Sequence, residues 1–185
     1  MPQISVLYEK LAYVYVAQIA LMAIPIVYAK ATRHDLRNYG LRVTTRLLLQ
    51  GVVISIIIGT GLSFIASPVT LSVGLVLLIC LVAPICEEFF FRGFLQTHLM
   101  EKVKGGKRFF RFYLSYGLML AALIFGAFHL LYIFATDVSF SGVVTNAALA
   151  VVFGLLIGYI YQETRSILTP ILMHICLNGL SLLPL

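Results

Sequence analysis

Charge is what this sequence has least of. Lysine, arginine, aspartate and glutamate make up 11% of the 185 residues, against 61% hydrophobic ones, and the mean hydropathy is +1.03. That balance excludes a soluble domain of ordinary composition, in which about a quarter of residues carry charge. Cysteine is also scarce. Cys80, Cys86 and Cys176 all fall in apolar runs, and an odd number of cysteines inside helices gives neither a disulfide framework nor a CxxC metal signature. They read as small buried hydrophobes, Cys86 included although it stands beside Glu87. The chain also lacks an HExxH motif, which removes the usual helical signature of a zinc hydrolase.

Apolar length is abundant instead. A bilayer-spanning helix needs about 20 mostly apolar residues. Runs of that kind occupy residues 11–29, 47–66, about 69–100, about 113–134, 143–161 and 167–183. The third exceeds one span, and Pro84 predicts a kink within it. The expected fold class is therefore all-α: a polytopic transmembrane bundle of about six helices, with residues 1–185 as a single integral-membrane domain. The first run is too long for a signal-peptide core and leads into a basic segment, so a retained helix is expected.

The basic residues cluster. Lys30, Arg33, Arg37, Arg42 and Arg46 separate the first two runs, Lys102, Lys104, Lys107, Arg108 and Arg111 separate the third and fourth, and Arg165 separates the last two. Alternating spans put these loops on one face, which the positive-inside rule makes cytoplasmic, in a multi-pass protein of the cell membrane with both termini outside. The net charge of +6 is thereby accounted for by topology and the lipid bilayer, with no nucleic-acid partner.

Within the runs the polar inventory is short: Glu87, Glu88, Arg92, His129, His174 and Asn178. A charged residue at mid-membrane costs about 2.5–3.5 kcal/mol on insertion scales, so such residues mark functional sites by default. His98 and His34 fall near a helix end and in the first basic loop, and read as interfacial. On a helix Glu88 and Arg92 share a face as a structural ion pair. Glu87 is turned about 100° away, toward Phe91, as a candidate general base or acid. His129 closes "LIFGAFH" with Phe125 one turn earlier, and His174 and Asn178 lie four apart in "TPILMHICLN". Singly, each histidine suits hydrogen-bonded packing and Asn178 suits interhelical contact. Together, on three helices, they could polarise a water and stabilise an oxyanion. Gly154 and Gly158 form a GxxxG that reads as helix packing. Residue counting puts His129 and Glu87 at different depths, which a tilted or broken helix must reconcile.

"EEFFFR" at Glu87–Arg92, "FGAFH" at Phe125–His129 and "HICLN" at His174–Asn178 fit EExxxR, FxxxH and HxxxN. In order and spacing they resemble the CAAX protease and bacteriocin-processing family of intramembrane endopeptidases, over roughly residues 70–182. The resemblance implies that Glu87 with His129 activates the attacking water, that His174 and Asn178 stabilise the oxyanion, and that Glu88–Arg92 is structural. It implies hydrolysis of a membrane-associated peptide or protein, prenylated or not, by a metal-free mechanism with no cofactor. Glu87, His129 and His174 are also a ligand set for zinc, which stays the alternative. Two other readings stand beside it: a non-enzymatic membrane scaffold or bacteriocin self-immunity protein of the same family, and an ion or proton transporter using the same buried carboxylates as a relay. The transporter lacks the inverted repeats that such proteins often show.

Overall fold

The computed structural model describes residues 2–41, 53, 73–134 and 139–181. The expected second span, 47–66, lies outside these residues apart from position 53. Helix α1 (Pro2–Thr32) is followed by a 3-10 turn, Leu36–Tyr39. Helix α2 is composite: α-helical Val73–Leu77, π-helical Leu78–Val82, α-helical Ala83–Glu88, π-helical Phe89–Gln96 and α-helical Thr97–Lys102. Strands β1 (Gly106–Phe109) and β2 (Phe112–Ser115) come next, then α3 (Tyr116–His129), a 3-10 turn at Leu130–Phe134, α4 (Phe140–Thr164) and α5 (Leu168–Ser181).

The expected break in the third run takes the form of two π-helical stretches. The first follows from Pro84. A proline removes its own N–H and crowds the carbonyl four residues back. Just ahead of it the helix widens, so that Ala83 N donates to the carbonyl of Leu78, five residues back. The residue junctions along α2 stay in right-handed helical dihedrals, so the register shifts without a break in the helix.

Helix dominates as expected, with one correction. The basic segment between the third and fourth runs folds as an antiparallel hairpin pairing Gly106 with Ser115 and Arg108 with Tyr113. Aromatic residues favour the strand, and Gln162 of α4 satisfies its edge, donating from Nε2 to Tyr113 O (2.7 Å) and accepting from Ser115 N (3.1 Å). Ser115 then caps α3, its Oγ accepting from Leu118 N at 3.2 Å. The fourth run is accordingly not one long helix: α3 has 14 residues, about 21 Å, against a hydrocarbon core of about 30 Å.

Among the described residues α4, with 25 residues, is long and apolar enough to cross a membrane by itself, and the shorter apolar helices are Val16–Thr32, Tyr116–His129 and Leu168–Leu180. Their outward faces are greasy: Val16, Ile19, Val27, Leu123 and Val152 are all more than half exposed. The inward contacts use small residues, as close helix packing in lipid does. An added Cβ at Gly154 would sit 3.2 Å from Ala122, and one at Gly126 would sit 2.9 Å from the carbonyl of Ala147. The basic end of α1 is fastened by the 3-10 turn. Gly40 there has φ +85° and lies against the Tyr161 ring, and its carbonyl accepts from Ile167 N at 2.8 Å. Tyr39, fully buried, has its hydroxyl pushed toward the neutral form by burial first, then by Tyr28 and Glu101.

Gly126→Leu should therefore lower stability by about 1–3 kcal/mol, the usual range for overpacking, because backbone of α4 stands in the way. Gly74→Ala, whose added Cβ would meet no atom beyond its own helix within 4 Å among the described residues, should be neutral or slightly stabilising. Thermal unfolding of the two variants in one detergent checks the contrast.

Candidate active site

Four helices meet around two neighbouring carboxylates. Both lie in the short α stretch Ala83–Glu88 of α2 and both are buried, Glu87 at 3% and Glu88 at 0% exposure. Adjacent positions on a helix diverge by about 100°, and here they find different partners. Glu88 sits between two basic groups: His174 of α5 donates from Nδ1 to Oε1 at 2.8 Å, and Arg92 Nε approaches Oε2 at 3.1 Å. The Arg92 contact is an ion pair by distance, but its direction falls outside hydrogen bonding. Glu87 instead accepts a hydrogen bond from a neutral amide, Gln18 Nε2 of α1, at 2.8 Å.

Arg92 is 2% exposed. Its Nη1 and Nη2 have no hydrogen-bond partner among the described residues, and its Cζ lies 4.3 Å over the Phe125 ring. A cation over an aromatic face is held by the ring quadrupole, by about 2 kcal/mol or more when desolvated. Phe125 is the common neighbour of the whole site. Its ring stands 4.9 Å from Phe91, 4.6 Å from His129 and 6.2 Å from His174, each near edge-on.

His129 Nδ1 donates to the carbonyl of Phe125 at 2.9 Å. In the neutral ring that bond leaves the lone pair on Nε2. The ring also lies near Glu87, Arg92 and His174. Asn178 Nδ2 donates to the carbonyl of Ile79 at 2.9 Å. This bond has a local cause. In the π-helical stretch the carbonyl of Leu78 takes the N–H of Ala83, so the next carbonyl, Ile79, faces Pro84, which has no N–H to give. Asn178 supplies the missing donor.

Glu87, Glu88, Arg92, His129 and His174 thus lie around the Phe125 ring or its immediate neighbours, and Asn178 binds α2 farther along, at Ile79. The Glu88–Arg92 pair expected from the spacing is present. His174 and Asn178 make separate contacts, one with Glu88 and the other with the carbonyl of Ile79. Gln18 and the central place of Phe125 were missed. A single glutamine in an apolar run was a legible polar anomaly, and Phe125 had served only to mark a helix face. Among the described residues no group of three His, Cys, Asp or Glu side chains is arranged to hold a metal ion. An open cleft of about 370 Å³ beside Lys30, Arg33 and His34 begins at Ile26, about 12 Å along α1 from Gln18, and contains none of these residues.

A protein-family model, type II CAAX prenyl endopeptidase Rce1-like, matches residues 68–180, a segment that holds all six motif residues and most of the chain. No curated protein and no solved structure gives a match.

Removing one member of a buried ion pair costs about 3–5 kcal/mol, because the other is left charged and unpaired. Glu88→Ala should therefore lower thermal stability strongly, and Glu88→Ala/Arg92→Met should recover part of the loss. Equal melting temperatures for wild type and Glu88→Ala would contradict the pair.

Proposed function

The chain belongs to the Rce1-like family of type II CAAX prenyl endopeptidases, a protease family, and from that membership we propose an intramembrane endopeptidase whose water is activated by Glu87 with His129. The observation that carries the reading is the division between the two carboxylates. Glu88 is tied to Arg92 and His174, whereas the hydrogen-bond partner of Glu87 is a neutral amide. Both oxygens of Glu88 are engaged by basic side chains, whereas Glu87 is held at one oxygen and has the other for a water.

In the proposed reaction Glu87 takes a proton from water as the oxygen attacks the carbonyl carbon of the scissile bond. The carbonyl oxygen becomes an oxyanion, and preorganised donors in a dry site stabilise it far more than water would. His174 fits that role in its imidazolium form. Glu88 holds Nδ1, which presents the Nε2 side of the ring elsewhere. Asn178, seated on the carbonyl of Ile79, is the second donor proposed for the oxyanion. The proton on Glu87 then passes to the departing amine. His129, oriented by the carbonyl of Phe125, assists the water.

The proposed mechanism is metal-free. The chelator arm of the assay decides between it and the zinc alternative, because an Nδ1 anchored on a carbonyl or a carboxylate, as in His129 and His174, is also how a zinc-binding histidine is held. The proposed substrate is a membrane-associated peptide or protein, prenylated or not, at a site within the cell membrane whose basic loops face the cytoplasm.

Glu87→Ala and His129→Ala should each abolish cleavage, a loss of at least about 100-fold, in protein that still folds. The assay is hydrolysis of farnesylated and unmodified peptides ending in a CAAX sequence, with and without a zinc chelator. Retained cleavage in either variant contradicts the mechanism and favours a scaffold, and loss on chelation favours zinc. In intact cells, a cysteine at position 104 should stay unlabelled by an impermeant thiol reagent, and labelling would reverse the orientation.

A further inference from the structure

Gln18 lies outside the segment that the family model matches, 68–180, and is 3% exposed. A buried amide is costly unless its groups are hydrogen-bonded. Its neighbourhood offers few partners: Leu21, one turn on, joins the apolar cluster of Phe91, Phe125 and Ala150. Only half of the amide is satisfied. Nε2 donates to Glu87 Oε1 at 2.8 Å, while Gln18 Oε1 is buried without a partner among the described residues.

The orientation has a chemical reason. An ionised carboxylate is acceptor-only, so the amide must turn its NH₂ end toward Glu87, and its oxygen is left as a spare acceptor beside the same carboxylate. A buried acceptor in that position matches a small donor that already has to approach Glu87, and in a hydrolase that donor is water. We propose that Gln18 is a positioning residue for hydrolysis. Its N–H fixes one oxygen of Glu87, and its Oε1 accepts one hydrogen of the attacking water so that the other points at the free carboxylate oxygen. In the step itself one water proton moves to Glu87, the water oxygen bonds to the carbonyl carbon, and Gln18 keeps both of its protons.

This inference rests on Glu87 being the base, and its test separates the two. Gln18→Met keeps the volume and removes both hydrogen bonds, and Gln18→Glu keeps polarity but sets acceptor against acceptor. With a farnesylated CAAX peptide, Gln18→Met should lower kcat by about 10- to 100-fold, the usual effect of losing orientation at a reacting centre, with KM within about twofold. Gln18→Glu should fall at least as far, and it carries the comparison if Gln18→Met fails to insert. In the Glu87→Gln background Gln18→Met should change nothing further, as residues acting as one unit do.

The carboxylate stretch of Glu87, isolated by infrared subtraction of Glu87→Gln, should move in Gln18→Met whether or not a substrate is found. An unmoved band, a wild-type kcat, or a loss confined to KM and melting temperature overturns the role of Gln18. Full activity in Glu87→Gln overturns the base, and Gln18's part in catalysis with it.

Discussion

A guanidinium cannot be buried in an apolar bundle without an anion within reach, and much of this structure is arranged around Arg92. The cation sits 3.1 Å from Glu88 and 4.3 Å above Phe125. Neither contact alone offsets the desolvation of a group that is 2% exposed. Together they fix the relative positions of α2 and α3, and His174 on the other oxygen of Glu88 brings in α5. Three helices that lack a hydrophobic driving force for meeting in lipid are thereby joined through one carboxylate. The joint also sets the angle of a histidine ring, so that the group that stabilises the packing orients a group proposed for the chemistry.

The second constraint is a missing hydrogen. Pro84 denies a donor to the helix at the point where α2 must carry two adjacent glutamates, and the π-helical turn before it shifts the register by one residue. The carbonyl of Ile79 that this frees is met by Asn178. A backbone carbonyl that has lost its helical donor in apolar surroundings has to be re-satisfied by protein groups, and here the satisfying group belongs to a motif proposed for catalysis. A substitution at Asn178 would therefore disturb this backbone contact as well as the proposed chemistry.

What could be read from the residues follows the range of the interactions involved. The i,i+4 pair of Glu88 and Arg92 was legible because a helix fixes that distance locally, as were the apolar helices and the three motifs. The hairpin at Gly106–Ser115 was not, because its edge is completed by Gln162 of α4, 47 residues away from Ser115. The π-helical stretches were foreseen only as a kink at Pro84. Contacts between helices were the least legible: Gln18 meets Glu87 across 69 residues and His174 meets Glu88 across 86. Periodicity says which face a residue occupies and is silent about which helix lies opposite.

Two glutamates one peptide apart show how far burial alone is from deciding a role. Both are at most 3% exposed and both stand on the same stretch of helix, so desolvation acts on them almost equally. What differs is the partner each direction encounters. The 100° turn between successive residues points one carboxylate at a cation and an imidazole and the other at an amide. Glu88 has both oxygens engaged by basic side chains, whereas Glu87 is anchored at one oxygen by a neutral amide. On this view the adjacency of the pair is functional: a single turn of helix carries both the charge that binds the bundle together and the one left available for water.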